Sequence, residues 1–335
     1  MLRLLFLALA ALATLLGGCG SDKDSQEPKA PVASRTLCLY SELDSKFTQD
    51  LVQSFNQMNK EKKLGLELRF IGELKEGEPL PDLVLAEQRT LYGLKKQGKL
   101  KQTQFDLATS LPSKLQDKEG YWYGVFYDPA VLLVNQYFAR TIGQSAMKGW
   151  TDLENNEQLR IAMENLSDSN STQNFLGALA DAMGETTSLN YLWNINRFVG
   201  QYAKFPFTSI RMTAVGDADV AITRQSYVFK YLENKFPAYV VHPREGTPVN
   251  LFCVGVFAAS SLDKEALQFM EWLLASERAQ AVAQAHNTGY MFIFPRGIDK
   301  EPVDEKKLWL NTSYLEASKQ EALTNRWLER VRFSK

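Results

Sequence analysis

Apolar residues recur along this chain in two rhythms, as short unbroken runs and at three- or four-residue spacing. Thr36-Leu37-Cys38-Leu39-Tyr40 is a run fit for a buried strand. Leu51, Val52, Phe55 and Met58 then predict a helix over 47–58, and the alternation over 66–71 predicts a second strand. A third strand, 81–86, ends at Glu87-Gln88, and a helix carrying Leu91 and Leu94 is stopped by Gly98. The aromatic run Tyr121, Trp122, Tyr123, Phe126, Tyr127 leads through Asp128-Pro129 into a strand over 130–135. Further strands are predicted over 161–163, 219–222, 239–241 and 252–257. Further helices are predicted over 150–153, from Phe175 to Met183, and over 189–202, 264–274, 277–285 and 316–332. Strands alternating with helices specify an α/β fold with mostly parallel sheets, whose ligands bind at the carboxyl ends of strands.

The first segment obeys a different rule. Arg3 precedes an apolar run from Leu4 to Leu16 that is too short to span a bilayer, which takes about 20 residues. It fits the apolar part of a secretory signal, and Leu16-Gly17-Gly18-Cys19 resembles a bacterial lipobox. Residues 1–18 are therefore expected to be a lipoprotein signal peptide, with Cys19 the lipidated, palmitate-bearing N-terminus. Residues 19–35 are polar and Pro-containing and are expected to form a flexible tether. The remaining length, 335 minus 18 or 317 residues, suits two lobes better than one core.

Lys and Arg total 38 against 39 Asp and Glu, with no basic block, so nucleic acid is not an expected partner. Cys38 and Cys253 lie in apolar runs; a disulfide is open to them in an oxidising compartment, but two buried thiols are preferred. His242 and His286 are too few and too far apart for a zinc site.

Five stretches stand in order along the chain: Leu39-Tyr40-Ser41 with Phe55, the run 81–88, Trp122-Tyr123-Gly124 with Val134-Asn135 and 150–153, the run 242–248, and the run 269–280. Together they resemble the extracellular solute-binding proteins of ABC importers, and within them the ferric-ion-binding branch of the type II class. The resemblance implies a two-lobed periplasmic-binding-protein type II fold with a ligand cleft between the lobes. It places lobe 1 at 36–126 plus 251–297 and lobe 2 at 127–250 plus 298–335. It also implies a monomer that closes about a small-molecule or metal ligand, serves ABC permease subunits, and needs no cofactor beyond a possible ferric ion as cargo.

The same resemblance carries roles onto individual residues. Glu87, followed by Gln88, stands where that branch supplies an iron ligand; a solvated strand-end carboxylate is the plain alternative. Tyr227 stands where the branch has two adjacent phenols, but Ser226 replaces one of them. Asp44 stands near a family histidine, and capping of the next helix is its preferred reading. Ser169, Ser171 and Thr172 precede a helix and can cap it or bind an anion. Tyr127 and Asp128 end the aromatic run, half of which is expected to be core and half free to stack on a ligand. Asp128-Pro129-Ala130 stands where iron-binding relatives often carry Arg contacts to an anion, which favours a neutral or cationic ligand or a different chelate.

Two ligand classes follow: ferric iron or a chelate on Glu87, Tyr227 and Asp44, or an organic cation such as a polyamine or thiamine-like compound on the aromatics with Asp128, Asp44 and Glu87. An enzyme with Cys38 or Cys253 as nucleophile is the weakest alternative, because both thiols sit in apolar runs. A sensory or adhesive lipoprotein on the same fold is a further one.

Overall fold

The computed structural model describes residues 35–75, 77–143, 147–155, 157–232, 236–294 and 303–334. The expected signal segment, Cys19 and all of the expected tether except Arg35 lie outside the described residues. β1 (Arg35–Ser41) opens the fold with Leu37 and Leu39 fully buried. α1 (Ser45–Glu61) buries Phe47, Leu51 and Phe55 on one stripe, as their spacing predicts. β2 (Leu66–Ile71) and β3 (Leu83–Glu87) flank β1 in parallel. α2 (Gln88–Lys96) starts directly from β3, and the short β4 (Leu100–Lys101) follows.

β5 (Tyr123–Asn135) is a single strand of 13 residues, all buried. α3 (Gln136–Ile142), β6 (Ile161–Glu164), α4 (Asn170–Met183) and α5 (Glu185–Asn196) come next. β7 (Val199–Ala203) occupies sequence predicted as helix: the helix stops at Asn196, Gly200 is a poor helix former, and the segment pairs with the open edge of β6. α6 (Pro206–Val215), β8 (Val220–Arg224), α7 (Gln225–Tyr231) and β9 (Ala238–Val241) complete the middle of the chain; neither α6 nor α7 is predicted from the sequence. β10 (Thr247–Phe257) is again buried throughout and begins five residues before the predicted strand. α8 (Asp263–Ala275), α9 (Glu277–Ala285), β11 (Met291–Phe292), β12 (Leu308–Trp309) and α10 (Ala317–Trp327) close the fold, with a π turn over Leu328–Arg332.

The strands join in the order β2-β1-β3-β10-β5-β8-β6-β7, with the short strands β4 and β12 on β10 and β9 and β11 on β5. β5 changes partner along its length. Tyr123 to Pro129 pair with β10, and Ala130 to Val134 pair with β8. Pro129, which has no N–H to give a ladder, falls at the changeover.

Among the described residues, two large apolar cores give the two lobes, and a small third cluster of Val131, Leu133, Ile210, Ala221 and Val228 covers the other face of β5 and β8. The first packs β1, β3 and β10 against α1, α2 and α8 around Phe55, Phe126, Phe257 and Phe269. The second packs β6 and the Ala130 end of β5 against α4, α5 and α10 around Trp150, Leu176 and Trp327. β5 contributes Tyr123, Val125, Phe126 and Tyr127 to the first core and Ala130, Leu132 and Val134 to the second. Trp150 Nε1 donates to the Gly246 carbonyl at 2.8 Å, and Glu245 Oε1 accepts from Thr151 Oγ1 at 3.0 Å. Two of the stretches that carry the sequence resemblance are thus held together by hydrogen bonds. Cys38 and Cys253 are separate free thiols, and burial raises the pKa of both.

Candidate functional site

Three buried strands of the α/β layers end in charged residues: Glu87 on β3, Glu164 on β6 and Arg224 on β8. All three ends turn toward one region, as expected for open α/β sheets. Here lies a cleft of about 630 Å³, within the size range of small-ligand sites. Glu42, Asp44, Glu87 and Asp128 bring four carboxyls to its wall, against the bases Arg224 and Lys230. His286, also on the wall, is bonded to Asp50 at 2.7 Å. Phe47, Phe252, Tyr227 and Tyr290 supply aromatic surface.

Arg224 is the centre of the arrangement. Its side chain is 13 % exposed. Its guanidinium stacks over the Tyr227 ring at 4.1 Å and donates to the Tyr227 hydroxyl. It stands 4.0 Å from Asp128 Oδ2. Burial alone lowers its proton affinity, but Tyr227, Asp128, Glu87 and Glu164 outweigh that and hold the guanidinium charged. Asp128 is fully buried; its Oδ1 accepts from the Ser226 N–H at 3.0 Å and its Oδ2 from the Ser226 hydroxyl at 2.5 Å.

Burial pushes the carboxyls of Glu87, Asp128 and Glu164 above the usual range, and Arg224 opposes the shift at each. Burial also raises the phenols of Tyr227 and Tyr290, again against Arg224. Burial thus opposes ionisation of these three carboxyls and two phenols, and a positive charge placed among them would favour it.

The sequence-derived candidates separate into three groups. Asp44, Glu87, Asp128, Ser171 and Tyr227 line the cleft together. Asp44 at the same time caps α1, its Oδ1 accepting from the N–H groups of Lys46 and Phe47 at 3.0 and 3.1 Å. Thr172 forms a reciprocal cap with Ser169 at the start of α4 and faces a smaller side chamber. Tyr127 lies elsewhere: it is packed in the first core beside β10 and β11, away from the cleft wall. Trp122, Tyr123 and Phe126 are core as well. The expected half-and-half alternation of the aromatic run fails because β5 is buried on both faces.

Sequence reasoning missed Arg224, Glu42, Asn250, Tyr290 and Glu164. Arg224 and Glu164 carried the signal that picked out Glu87, a charged residue ending a buried strand. Asn250 sits in an apolar run with no local cue; its Nδ2 donates to Ser171 Oγ and stands 3.5 Å from Glu87 Oε1. Arg224 also puts a guanidinium in the cleft, although Asp128-Pro129-Ala130 carries none. Among the described residues, no three His, Cys, Asp or Glu side chains converge to hold a metal ion by themselves. A metal bound here would need phenol or backbone oxygens as well.

Solved structures of similar fold are periplasmic binding proteins. Iron-bound HitA from Pseudomonas aeruginosa is 18% identical, with TM-score 0.66 over 87% of this chain and 99% of its own. The Trichodesmium protein IdiA (FutA), in complex with iron and citrate ligands, is 17% identical, with TM-score 0.70 over 90% and 100%. AfuA from Actinobacillus pleuropneumoniae, with fructose-6-phosphate bound, is 17% identical, with TM-score 0.67 over 90% and 100%. No curated protein matches the sequence. Residues 78–317 match one family along most of the chain, and on that match the protein belongs to the bacterial extracellular solute-binding proteins.

Proposed function

We propose that this chain is the capture component of an ABC importer, closing its two lobes around ferric iron or a ferric chelate and presenting it to membrane permease subunits. The observation that carries the reading is the cleft wall itself. Four carboxyls face two bases there, and two phenols, Tyr227 and Tyr290, look into the same space. Oxygen donors with surplus negative charge suit a hard, highly charged cation. Tyr290 offers a second phenol where Ser226 replaces the expected one, and Arg224 beside Tyr227 partly offsets the burial that raises its phenol, leaving the bound cation to favour the phenolate. Cargo touching both lobes would drive closure by binding the closed state better. In this reading the chain is a monomer that transforms nothing. It is exported on residues 1–18 and tethered to a membrane through lipidated Cys19, with its lobes divided close to the boundaries expected from the sequence, Tyr127 going with the first core.

Ferric nitrilotriacetate added to the protein is expected to give a visible phenolate-to-iron absorption band and to raise Tm. At 100 times Kd the stabilisation is about 2.7 kcal/mol. Neither band nor stabilisation would reject the reading. An organic cation is the second reading, supported by Phe47, Phe252 and Tyr290 on the same wall as the carboxyls. Buried Trp122 is not a reporter for it, so Tm against a polyamine panel is the measurement that checks it.

A further inference from the structure

Behind Arg224 the cleft leads to a second, much smaller chamber, of about 30 Å³. Asp128, Ser171 and Arg224 line both spaces, so the chamber opens where the buried charges meet. Its far walls are of a different character: Met163, Leu166, Phe175, Ile222 and Pro248 are apolar. Glu164 is the one acid on its wall that the cleft does not share. Among the described residues Glu164 makes no ion pair or side-chain hydrogen bond, although Arg224 influences it electrostatically. Glu164 is half-buried, so its carboxyl keeps access to water, but it has no bonded partner where it borders the apolar wall and is free to meet a cation there.

We propose that this chamber receives a short aliphatic arm of the cargo, tipped by a primary ammonium that meets Glu164. The inference rests on the cleft reading and narrows it. A bare ferric ion gains nothing from apolar walls, whereas a chelate or an organic cation with such an arm fills both spaces. The room suffices for about one or two small groups, since a water needs about 10–15 Å³. It admits a primary ammonium and excludes a trimethylated one. Each methylene of the arm taken out of water tightens binding about fourfold.

Thermal unfolding of the full-length protein with three probes tests this: butylamine, butyltrimethylammonium and butan-1-ol. Butylamine is expected to raise Tm, and the other two, of equal charge or equal chain length, to leave it unchanged. Glu164→Gln, which keeps the shape, is expected to weaken butylamine at least tenfold. Leu166→Phe, which fills the chamber, is expected to abolish the response. Should that larger side chain prevent folding, wild type and Glu164→Gln decide between them. No butylamine shift in wild type, an equal shift in Glu164→Gln, or an equal shift with butyltrimethylammonium overturns the proposal. The ferric band is read separately on the same protein. A band without an amine response removes the chamber alone, and an amine response without a band removes the ferric reading alone.

Discussion

Asp128 and Asn250 stand opposite one another on β5 and β10, and each is bonded away from its own strand to a different helix. Asp128 takes both Ser226 donors at the start of α7, while Asn250 accepts from Asn174 Nδ2 at 2.7 Å and donates to Ser171 on α4. Polar groups are therefore buried where the two long strands pass from one core to the other. This is where apolar packing would resist a change of angle most strongly.

Asn250→Ala is expected to leave Asn174 and Ser171 without their partner and to cost about 1–3 kcal/mol. Urea unfolding reads this as a lower midpoint with an unchanged slope. An unaltered midpoint would mean that the pair of bonds contributes nothing net.

Tyr227→Phe keeps the ring under Arg224 and removes only the oxygen. With ferric nitrilotriacetate the visible band is expected to lose about half its intensity if Tyr290 supplies a second phenolate, and all of it if Tyr227 alone binds. A band of wild-type intensity would place the metal elsewhere. Glu87→Gln is expected to keep the band and weaken binding at least tenfold, because one carboxylate is lost from the site.

The pH dependence of the empty protein has a definite sign. The Glu87 carboxyl is raised above 4.5 by burial, so its contribution to stability is fully present below that pH and is lost as pH rises through the folded value. Glu87→Gln removes the burden of ionising it. The variant is expected to melt higher than wild type at pH 8 and no higher at pH 4. A difference in Tm that did not shrink on acidification would contradict the buried-charge account. A cationic ligand should show the opposite dependence, binding more tightly as pH rises.

Asp44→Ala is expected to destabilise the fold by about 1 kcal/mol through loss of the α1 cap, whereas Asp44→Ser should restore most of it. Isothermal titration with ferric nitrilotriacetate on the two variants separates roles. If Asp44→Ser binds like wild type, the residue serves the helix only; if both variants bind weakly, its free oxygen serves the cargo.

Much of this was legible in the sequence because it is local. The α1 stripe of Leu51, Val52, Phe55 and Met58, the strand ending at Glu87 and the cap at Asp44 are each written within a few residues. What depended on distant chain was not. Val199–Ala203 continues a helical spacing, and only the free edge of β6 makes it a strand. Tyr127 looks like a ligand contact beside Asp128, but the pleat sends it into the first core while Asp128 faces the cleft. Arg224 was readable as a charge after an apolar run. Its importance arises only when the ends of β3, β6 and β8 are brought together.

The changeover within β5 has a consequence for dissecting the molecule. Because one strand feeds both cores and β10 runs beside it, neither half is a continuous piece of polypeptide. A gene truncated between them would deliver a fragment with half of a wholly buried strand left bare, prone to aggregate rather than to bind. A break in an exposed loop, by contrast, should leave the pieces gripping each other through that shared ladder, so a nicked protein is the form in which the halves can be studied as separate chains.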